Sequence, residues 1–233
     1  MKRNTSTQIA LKIVHAGFKV PRLGDFQRLI ELIALRELLN ELRIDLVIDV
    51  GANVGQFGMD LRGVGYSGWI ASFEPGLNEF NKLQSIADPK WLTYNIALGV
   101  ADGSLELNID QHSVNNSFLQ LRGAAPATKV RVEVRRLDHQ LTSILNESKC
   151  KRLFLKMDTQ GFDLQVFRGA SGCLDMIFGI QSELSVRPIY ESMPHYIEAL
   201  EEYESVGFTL HSLHPVATEY NGAVIEYNCL LSK

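Results

Sequence analysis

The sequence predicts an α/β protein built on a Rossmann-like, doubly wound sheet that is mostly parallel and ends in an antiparallel strand. Between residues 46 and 205, short apolar runs of strand length alternate with segments of helical spacing, as expected where helices connect parallel strands. Three of those runs reach an acid beside a turn, at Asp49, Glu74 and Asp158. Parallel strands bring such ends to one edge of a sheet, so the sequence predicts a ligand crevice there.

Composition limits the class of protein before any motif is considered. The 233 residues suit one domain, and a net charge of -4 argues against nucleic acid as the main partner, because binding phosphates needs a basic surface. The three cysteines lie far apart and predict neither a disulfide framework nor a zinc site, so a reducing, cytoplasmic location is expected. No apolar run approaches the ~20 residues of a membrane span, so no stable membrane insertion is expected.

Residues 1–45 are predicted to form an N-terminal helical segment, and residues 46–233 the ligand-binding domain. Apolar side chains recur with helical spacing from Leu29 to Leu42. Within the segment, Met1 to Val20 suits a short basic amphipathic helix, for which ordinary packing is favoured over membrane contact. No linker or repeat divides the remaining chain.

The first predicted strand, Leu46–Val50, turns into a helix at Gly51. Gly51 lets the backbone pass close to a ligand, Gly55 lets the helix pack tightly on the strand, and the helix start favours an anion. Asn53 replaces the second glycine of the dinucleotide fingerprint, which argues against NAD. Asp49 would repel a diphosphate but suits an ammonium or sulfonium group. S-adenosylmethionine (SAM), which carries both cations, is therefore the predicted cofactor.

The second and third strands supply the other predicted cofactor contacts. The run Trp69–Phe73 ends at Glu74, which Pro75 holds at the strand edge. An acid about 20 residues after the glycine turn is placed to bind a ribose. The third strand is predicted over Trp91–Leu98, and its last part, Asn95–Leu98, should lie where an adenine ring binds.

The chain between residues 104 and 137 predicts an inserted or edge hairpin. Ser104–Ile109 and Val130–Leu137 both alternate apolar and polar residues, as strands do. The polar loop between them contains Asn115, Asn116 and Ser117. Its length suits either a binding loop or a disordered tip.

The fourth crevice strand, Arg152–Asp158, places Asp158 at the carboxyl edge beside the first strand. Either Asp158 acts on the substrate, which the repeated acid-then-turn pattern favours, or it caps the next helix. The fifth strand, Ile177–Ser185, carries Glu183 near its end. After a helix from about His195 to Ser205, two strands over residues 207–213 and 223–231 predict an antiparallel hairpin with His211 near its turn.

Several of these motifs, in this order, resemble the FkbM family of SAM-dependent methyltransferases over about Asp45 to Gly207. The matching stretches are Val47–Gly55, Phe73–Pro75, Asn95–Gly99, Leu137–Asp138 and Leu155–Phe162. The resemblance implies a class I methyltransferase fold, a seven-stranded sheet with the last strand antiparallel, and methyl transfer to a hydroxyl of a sugar, glycan or other small molecule. One position departs from the family pattern, because Gln160 stands where an Asp-x-Glu-Gly motif has its glutamate.

The function predicted from sequence is therefore that of a SAM-dependent O-methyltransferase with Asp158 as general base or orienting acid. Glu183 and His211 are further catalytic candidates, and no metal ligand is assigned. The predicted cofactor-binding residues are Asp49, Gly51, Asn53, Gly55, Glu74, Pro75, Asn95, Ala97 and Asp158. Two alternatives stay open: an enzyme that holds Mg²⁺ between Asp158 and Glu183, and a catalytically inactive SAM-binding module.

Overall fold

A computed structural model describes residues 23–125 and 128–233. The predicted helix over Met1 to Val20 lies outside this range. The helices are α1 (Leu23–Glu41), α2 (Gln56–Gly63), α3 (Leu77–Gln84), α4 (Leu137–Ser148), α5 (Asp163–Arg168) and α6 (Tyr196–Ser205). The strands are β1 (Leu46–Val50), β2 (Trp69–Phe73), β3 (Trp91–Tyr94), β4 (Ala97–Leu98), β5 (Gly103–Ile109), β6 (Thr128–Arg135), β7 (Leu153–Met157), β8 (Ile177–Ser185), β9 (Thr209–Thr218) and β10 (Val224–Ser232).

Seven strands form the main sheet in the order β3-β2-β1-β7-β8-β10-β9. In this sheet β3, β2, β1, β7 and β8 pair in parallel. β10 runs antiparallel to both of its neighbours, β8 and β9. The predicted fold class is thus confirmed. The strand order reverses between β1 and β7, and such a switch point is where α/β sheets open a crevice at their carboxyl edge.

Helices cover both faces of the sheet, which explains why its central strands are mostly apolar. All five residues of β1 are buried, as are all five of β7. On one face α1, α2 and α3 contribute Leu35, Leu61 and Leu83 to the core. On the other face α4, α5 and α6 pack residues such as Ile144 and Tyr203 against the strands.

A second, three-stranded sheet has the order β4-β6-β5 and changes two predicted boundaries. The predicted strand Trp91–Leu98 is broken after Tyr94, because the chain leaves the main sheet and β4 pairs with β6. The predicted strand ending at Leu137 ends at Arg135 instead, and Leu137 begins α4. The β5–β6 pair itself is antiparallel, as the alternation predicted.

Within residues 23–125 and 128–233, no helix has the length and apolar character needed to cross a bilayer. The three cysteines, Cys150, Cys173 and Cys229, are buried free thiols.

Candidate active site

An open cavity lies at the carboxyl edge of β1 and β7, at the switch point of the sheet. Three of the predicted strand ends contribute to its wall, together with a loop between β5 and β6. The lining residues include Gly51, Asn53, Glu74, Pro75, Ala97, Leu98, Ser113, Val114, Asn116, Ser117, Phe118, Asp158, Thr159 and Gln160. The cavity is therefore the crevice that the sequence predicts.

The turn after β1 holds three strand ends together. Gly51 has a φ of 74°, and a Cβ added there would lie 1.9 Å from the carbonyl oxygen of Asp158. Only glycine fits at such a distance and such a φ. The next turn residue in the cavity, Asn53, has a φ of 49° and donates its backbone N–H to Glu74 Oε2 at 2.8 Å. The backbone of the turn is thereby presented to any ligand in the cavity.

The carboxylate of Glu74 forms the floor of the cavity beside this turn. Its Oε1 accepts the Gly76 N–H at 2.7 Å and its Oε2 accepts the Asn53 N–H at 2.8 Å. Burial raises the pKa of Glu74 to about 7, although these two donors act to lower it. Each oxygen accepts one hydrogen bond and keeps a second acceptor site, so ribose hydroxyls can still bind here.

Asp49 lies behind the cavity, with its side chain fully buried. Lys156 Nζ lies 3.0 Å from its Oδ1, and the Ser72 hydroxyl donates to its Oδ2 at 3.0 Å. The structure corrects the expectation that Asp49 faces a cofactor cation, since the protein supplies that cation from β7. Burial disfavours a charged lysine, but Asp49 and Asp158 outweigh it and raise the pKa of Lys156.

Sequence reasoning missed Lys156, yet its position carried a signal. It is the one charged residue in the apolar run of β7, Leu153–Met157, and a lysine there needs a buried partner. Its Nζ also lies 3.3 Å from the Gly51 carbonyl oxygen and 3.7 Å from Asp158 Oδ2. Lys156 therefore fixes the turn after β1 against the end of β7.

Asp158 and Glu183 lie on either side of the Gln160 amide. Gln160 Nε2 donates to Asp158 Oδ1 at 3.2 Å and to Glu183 Oε2 at 2.8 Å. The Asp158 side chain is 43% exposed and lines the cavity. Glu183 is set back behind Gln160, where burial, followed by the charges of Asp158 and Glu226, raises its pKa well above the usual value. Asp158 is thus the accessible carboxylate of the pair.

Two predicted cofactor residues support the cavity from outside its lining. A Cβ at Gly55 would lie 2.9 Å from Leu83 Cδ1 and 2.6 Å from Ile86 Cδ1, so this glycine allows α2 to pack on the α3 region. Asn95 Nδ2 donates to the carbonyl oxygen of Glu74 at 2.9 Å. The predicted residues Gly51, Asn53, Glu74, Pro75, Ala97 and Asp158 line the cavity, whereas Asp49, Gly55 and Asn95 do not.

His211 lies at the opposite edge of the sheet. Its Nε2 contacts the Ser232 hydroxyl at 2.7 Å, and Ser232 pairs with Gly179 near the start of β8. The cavity lies at the carboxyl ends of the parallel strands, so the sheet separates it from this histidine. The structure corrects the expectation that His211 faces the substrate.

Residues 110–125, which we name the covering loop, extend over the cavity. Asn53 Nδ2 donates to the Ser113 hydroxyl at 3.1 Å, and the Ser117 hydroxyl donates to the Gln160 carbonyl oxygen at 2.7 Å. From the far side, the Tyr190 hydroxyl contacts the Asn115 carbonyl oxygen at 3.1 Å. Of the three polar residues that the sequence singles out in this loop, Ser117 attaches it to the wall through its side chain and Asn115 through its carbonyl oxygen, whereas the Asn116 side chain accepts the Asp110 N–H within the loop.

Comparison with solved structures agrees with this fold. Magnesium protoporphyrin IX methyltransferase from Synechocystis, solved with bound SAM, matches with a TM-score of 0.51 and 10% identity, over 99% of this chain and 92% of that one. A putative SAM-dependent methyltransferase from Listeria monocytogenes matches with a TM-score of 0.48 and 7% identity, over 86% and 99% of the two chains. A search of curated protein sequences finds no match.

The seven-stranded sheet with its antiparallel β10 and the crevice at the switch point give the protein the class I methyltransferase fold. The model of the FkbM methyltransferase domain matches residues 49–210, more than half of the chain. The protein belongs to the FkbM methyltransferase family, as the sequence motifs predicted.

Proposed function

We propose that the protein transfers the methyl group of SAM to a hydroxyl of a small molecule, sugar or glycan, with Asp158 as the general base or orienting acid. The observation that carries this proposal is the position of Asp158. Its half-exposed carboxylate lines the cavity at the end of β7, whereas Glu183 lies behind Gln160. An inactive SAM-binding module would have no need for an accessible acid at this place.

The cavity wall suits SAM in two respects. Gly51, which has no side chain, lets the turn after β1 pack directly against the backbone of Asp158 and so shapes the cavity wall, and the oxygens of Glu74 retain acceptor sites for ribose hydroxyls. We assign the methionine end to the turn containing Gly51 and Asn53, the ribose to Glu74, and the adenine to the side of Ala97. Asp49 contributes indirectly by holding Lys156 under the turn.

Methyl transfer needs an aligned acceptor oxygen and a group that takes its proton. When bound, SAM supplies an electrophilic methyl group and leaves as S-adenosylhomocysteine. Asp158, at the end of β7, would take the proton of the acceptor hydroxyl as its oxygen gains the methyl group. Lys156 Nζ lies 3.7 Å from Asp158 Oδ2 and so places a positive charge beside this carboxyl group.

A Mg²⁺ ion between Asp158 and Glu183 does not fit these residues. The Gln160 amide donates an N–H to each carboxylate, and an N–H donor repels a cation where the metal would lie. In the part of the chain that the structure describes, no cluster of three or more His, Cys, Asp or Glu residues is placed to bind a metal. The proposed mechanism therefore uses no metal ion.

The proposed acceptor class rests on the family resemblance. We keep the predictions that nucleic acid is not a partner and that the protein works in a reducing, cytoplasmic compartment. Both rest on the net charge and cysteine spacing of the sequence.

Two measurements test the proposed function in order. Calorimetric titration with S-adenosylhomocysteine, with NAD in a parallel cell, should give binding of the first compound alone. Release of S-adenosylhomocysteine from SAM is then followed across a panel of sugars, glycosides and phenols. Binding without release on any hydroxyl compound would instead favour the inactive module.

Affinity for S-adenosylhomocysteine should fall as the pH is lowered through 7. Burial raises the pKa of Glu74 to about 7. The Gly76 and Asn53 N–H groups and Lys156 act to lower this pKa, and Glu79 acts to raise it. Below that pH the carboxyl group holds a proton and loses acceptor capacity toward the ribose, so affinity should drop by up to ~10-fold per pH unit. Calorimetry between pH 5.5 and 8 measures this, and Glu74→Gln should bind weakly with little pH dependence. A wild-type affinity independent of pH would contradict the assignment of Glu74 to the ribose.

A further inference from the structure

Gln160 has no role in the proposed mechanism, yet both polar atoms of its side chain form hydrogen bonds. Nε2 donates to Asp158 and to Glu183, while Oε1 faces the Tyr190 hydroxyl at 3.0 Å. Its backbone oxygen accepts the Ser117 hydroxyl, and its φ is 53°. A non-glycine residue in the left-handed region is held there by its surroundings, and such residues concentrate at functional sites.

The orientation of the amide follows from the chemistry of its neighbours. The Gln160 NH₂ group donates to one oxygen of Asp158 and to one oxygen of Glu183, both of which accept, so it faces the two carboxyl groups. The oxygen then faces Tyr190, whose single proton is shared between Gln160 Oε1 and the Asn115 carbonyl oxygen. One side chain thereby joins the ends of β7 and β8 to the covering loop.

We propose that Gln160 is a positioning residue of the methyl-transfer site, whose amide takes the place of a cation between Asp158 and Glu183 and fastens the covering loop through Tyr190. The inference rests on the proposed function, because it concerns the carboxylate assigned to the acceptor proton. Without the two N–H donors, the carboxylates would face each other across the gap, and Asp158 would have no fixed direction toward the cavity.

The charge that surrounds the amide makes the proposal testable. The titratable and charged groups facing it or its two carboxylates are Lys156 and Asp158 on the β7 side, Asp163 on α5, Glu183 on β8, Tyr190 after β8, and Glu226 on β10. Burial raises the pKa of Glu183, and also raises the pKa of Glu226 to about 7. A further carboxylate at position 160 would add negative charge beside acids whose charged forms burial already disfavours.

The decisive variant is Gln160→Glu, with Gln160→Met as a matched control that removes the donors without adding charge. When the pH is raised from 5.5 to 8, the thermal midpoint of Gln160→Glu should fall by at least ~3 °C more than that of the wild type. Millimolar MgCl₂ should restore part of this additional loss of stability. The sign follows because an acid held protonated in the folded state lowers stability as pH rises. Gln160→Met should lose stability equally at each pH, without a response to MgCl₂.

Measurements of kcat distinguish a positioning role of Gln160 from a purely structural one. Both variants should bind S-adenosylhomocysteine within about twofold of the wild type but lower kcat at least ~10-fold on any acceptor from the panel. A pH slope for Gln160→Glu equal to that of the wild type would overturn the inference. The proposed function fails separately, if the wild type transfers no methyl group while the pH slope of Gln160→Glu still appears.

Discussion

Asp158→Asn should lower methyl-transfer turnover by at least ~10²-fold while leaving S-adenosylhomocysteine binding within a few-fold of the wild type. The amide has nearly the shape of the carboxylate but accepts no proton, and a positioned general base contributes about 10²–10⁴-fold. The Asp158 side chain is half exposed, and its Oδ1 accepts a hydrogen bond from Gln160. The change to asparagine therefore removes little packing. Turnover and calorimetric affinity, measured on the same preparation, separate the two effects.

A matched control is Asp175→Asn, which makes the same chemical change at an exposed residue between α5 and β8. That position precedes β8 and therefore lies at the amino edge of the sheet, away from the cavity. The control should retain wild-type turnover. Near-normal turnover of Asp158→Asn would remove Asp158 from the mechanism, and the acceptor proton would then have to leave to solvent or to a group on the acceptor itself.

The sequence anticipates the main sheet well because its central strands are buried on both faces. In β1, four of the five residues are apolar and all five are buried, as expected of a strand covered on both faces. The acids and glycines at the strand ends then locate the crevice. The prediction of strand boundaries fails where pairing with a distant strand determines them. After Tyr94 the chain leaves the main sheet, and the two residues of β4 join the second sheet. No local pattern records which sheet a two-residue strand will enter.

The candidate site is anticipated less completely, because the sequence shows which residues reach the crevice edge but not what they pair with. Asp49 was assigned to the cofactor since its partner, Lys156, lies more than a hundred residues away in the chain. His211 was chosen for its chemistry and its nearness to a turn, whereas strand direction places it at the far edge. Both errors concern long-range neighbours, which residue type and spacing do not specify.

Gly51→Ala should produce the largest loss of cofactor binding of any single methyl addition in the turn. The added Cβ would lie 1.9 Å from the Asp158 carbonyl oxygen and 2.9 Å from its carbonyl carbon, and these backbone atoms directly follow the buried strand β7. The residue would also have to keep a φ of 74°, which alanine disfavours. We expect the turn to move out of place, with stability reduced by at least ~3 kcal/mol and S-adenosylhomocysteine binding weakened at least ~10²-fold.

Gly65→Ala isolates the clash from the cost of the backbone conformation. Gly65 has a φ of 93°, similarly left-handed, but nothing lies within 4 Å of the Cβ it would gain. Its alanine variant should therefore lose only about 1 kcal/mol and bind S-adenosylhomocysteine as the wild type does. Denaturant unfolding and calorimetry on both variants measure the difference between the two positions. Equal losses would mean that the close approach of β1 to β7 is not what shapes the cavity, and the cofactor would have to be assigned to another part of the edge.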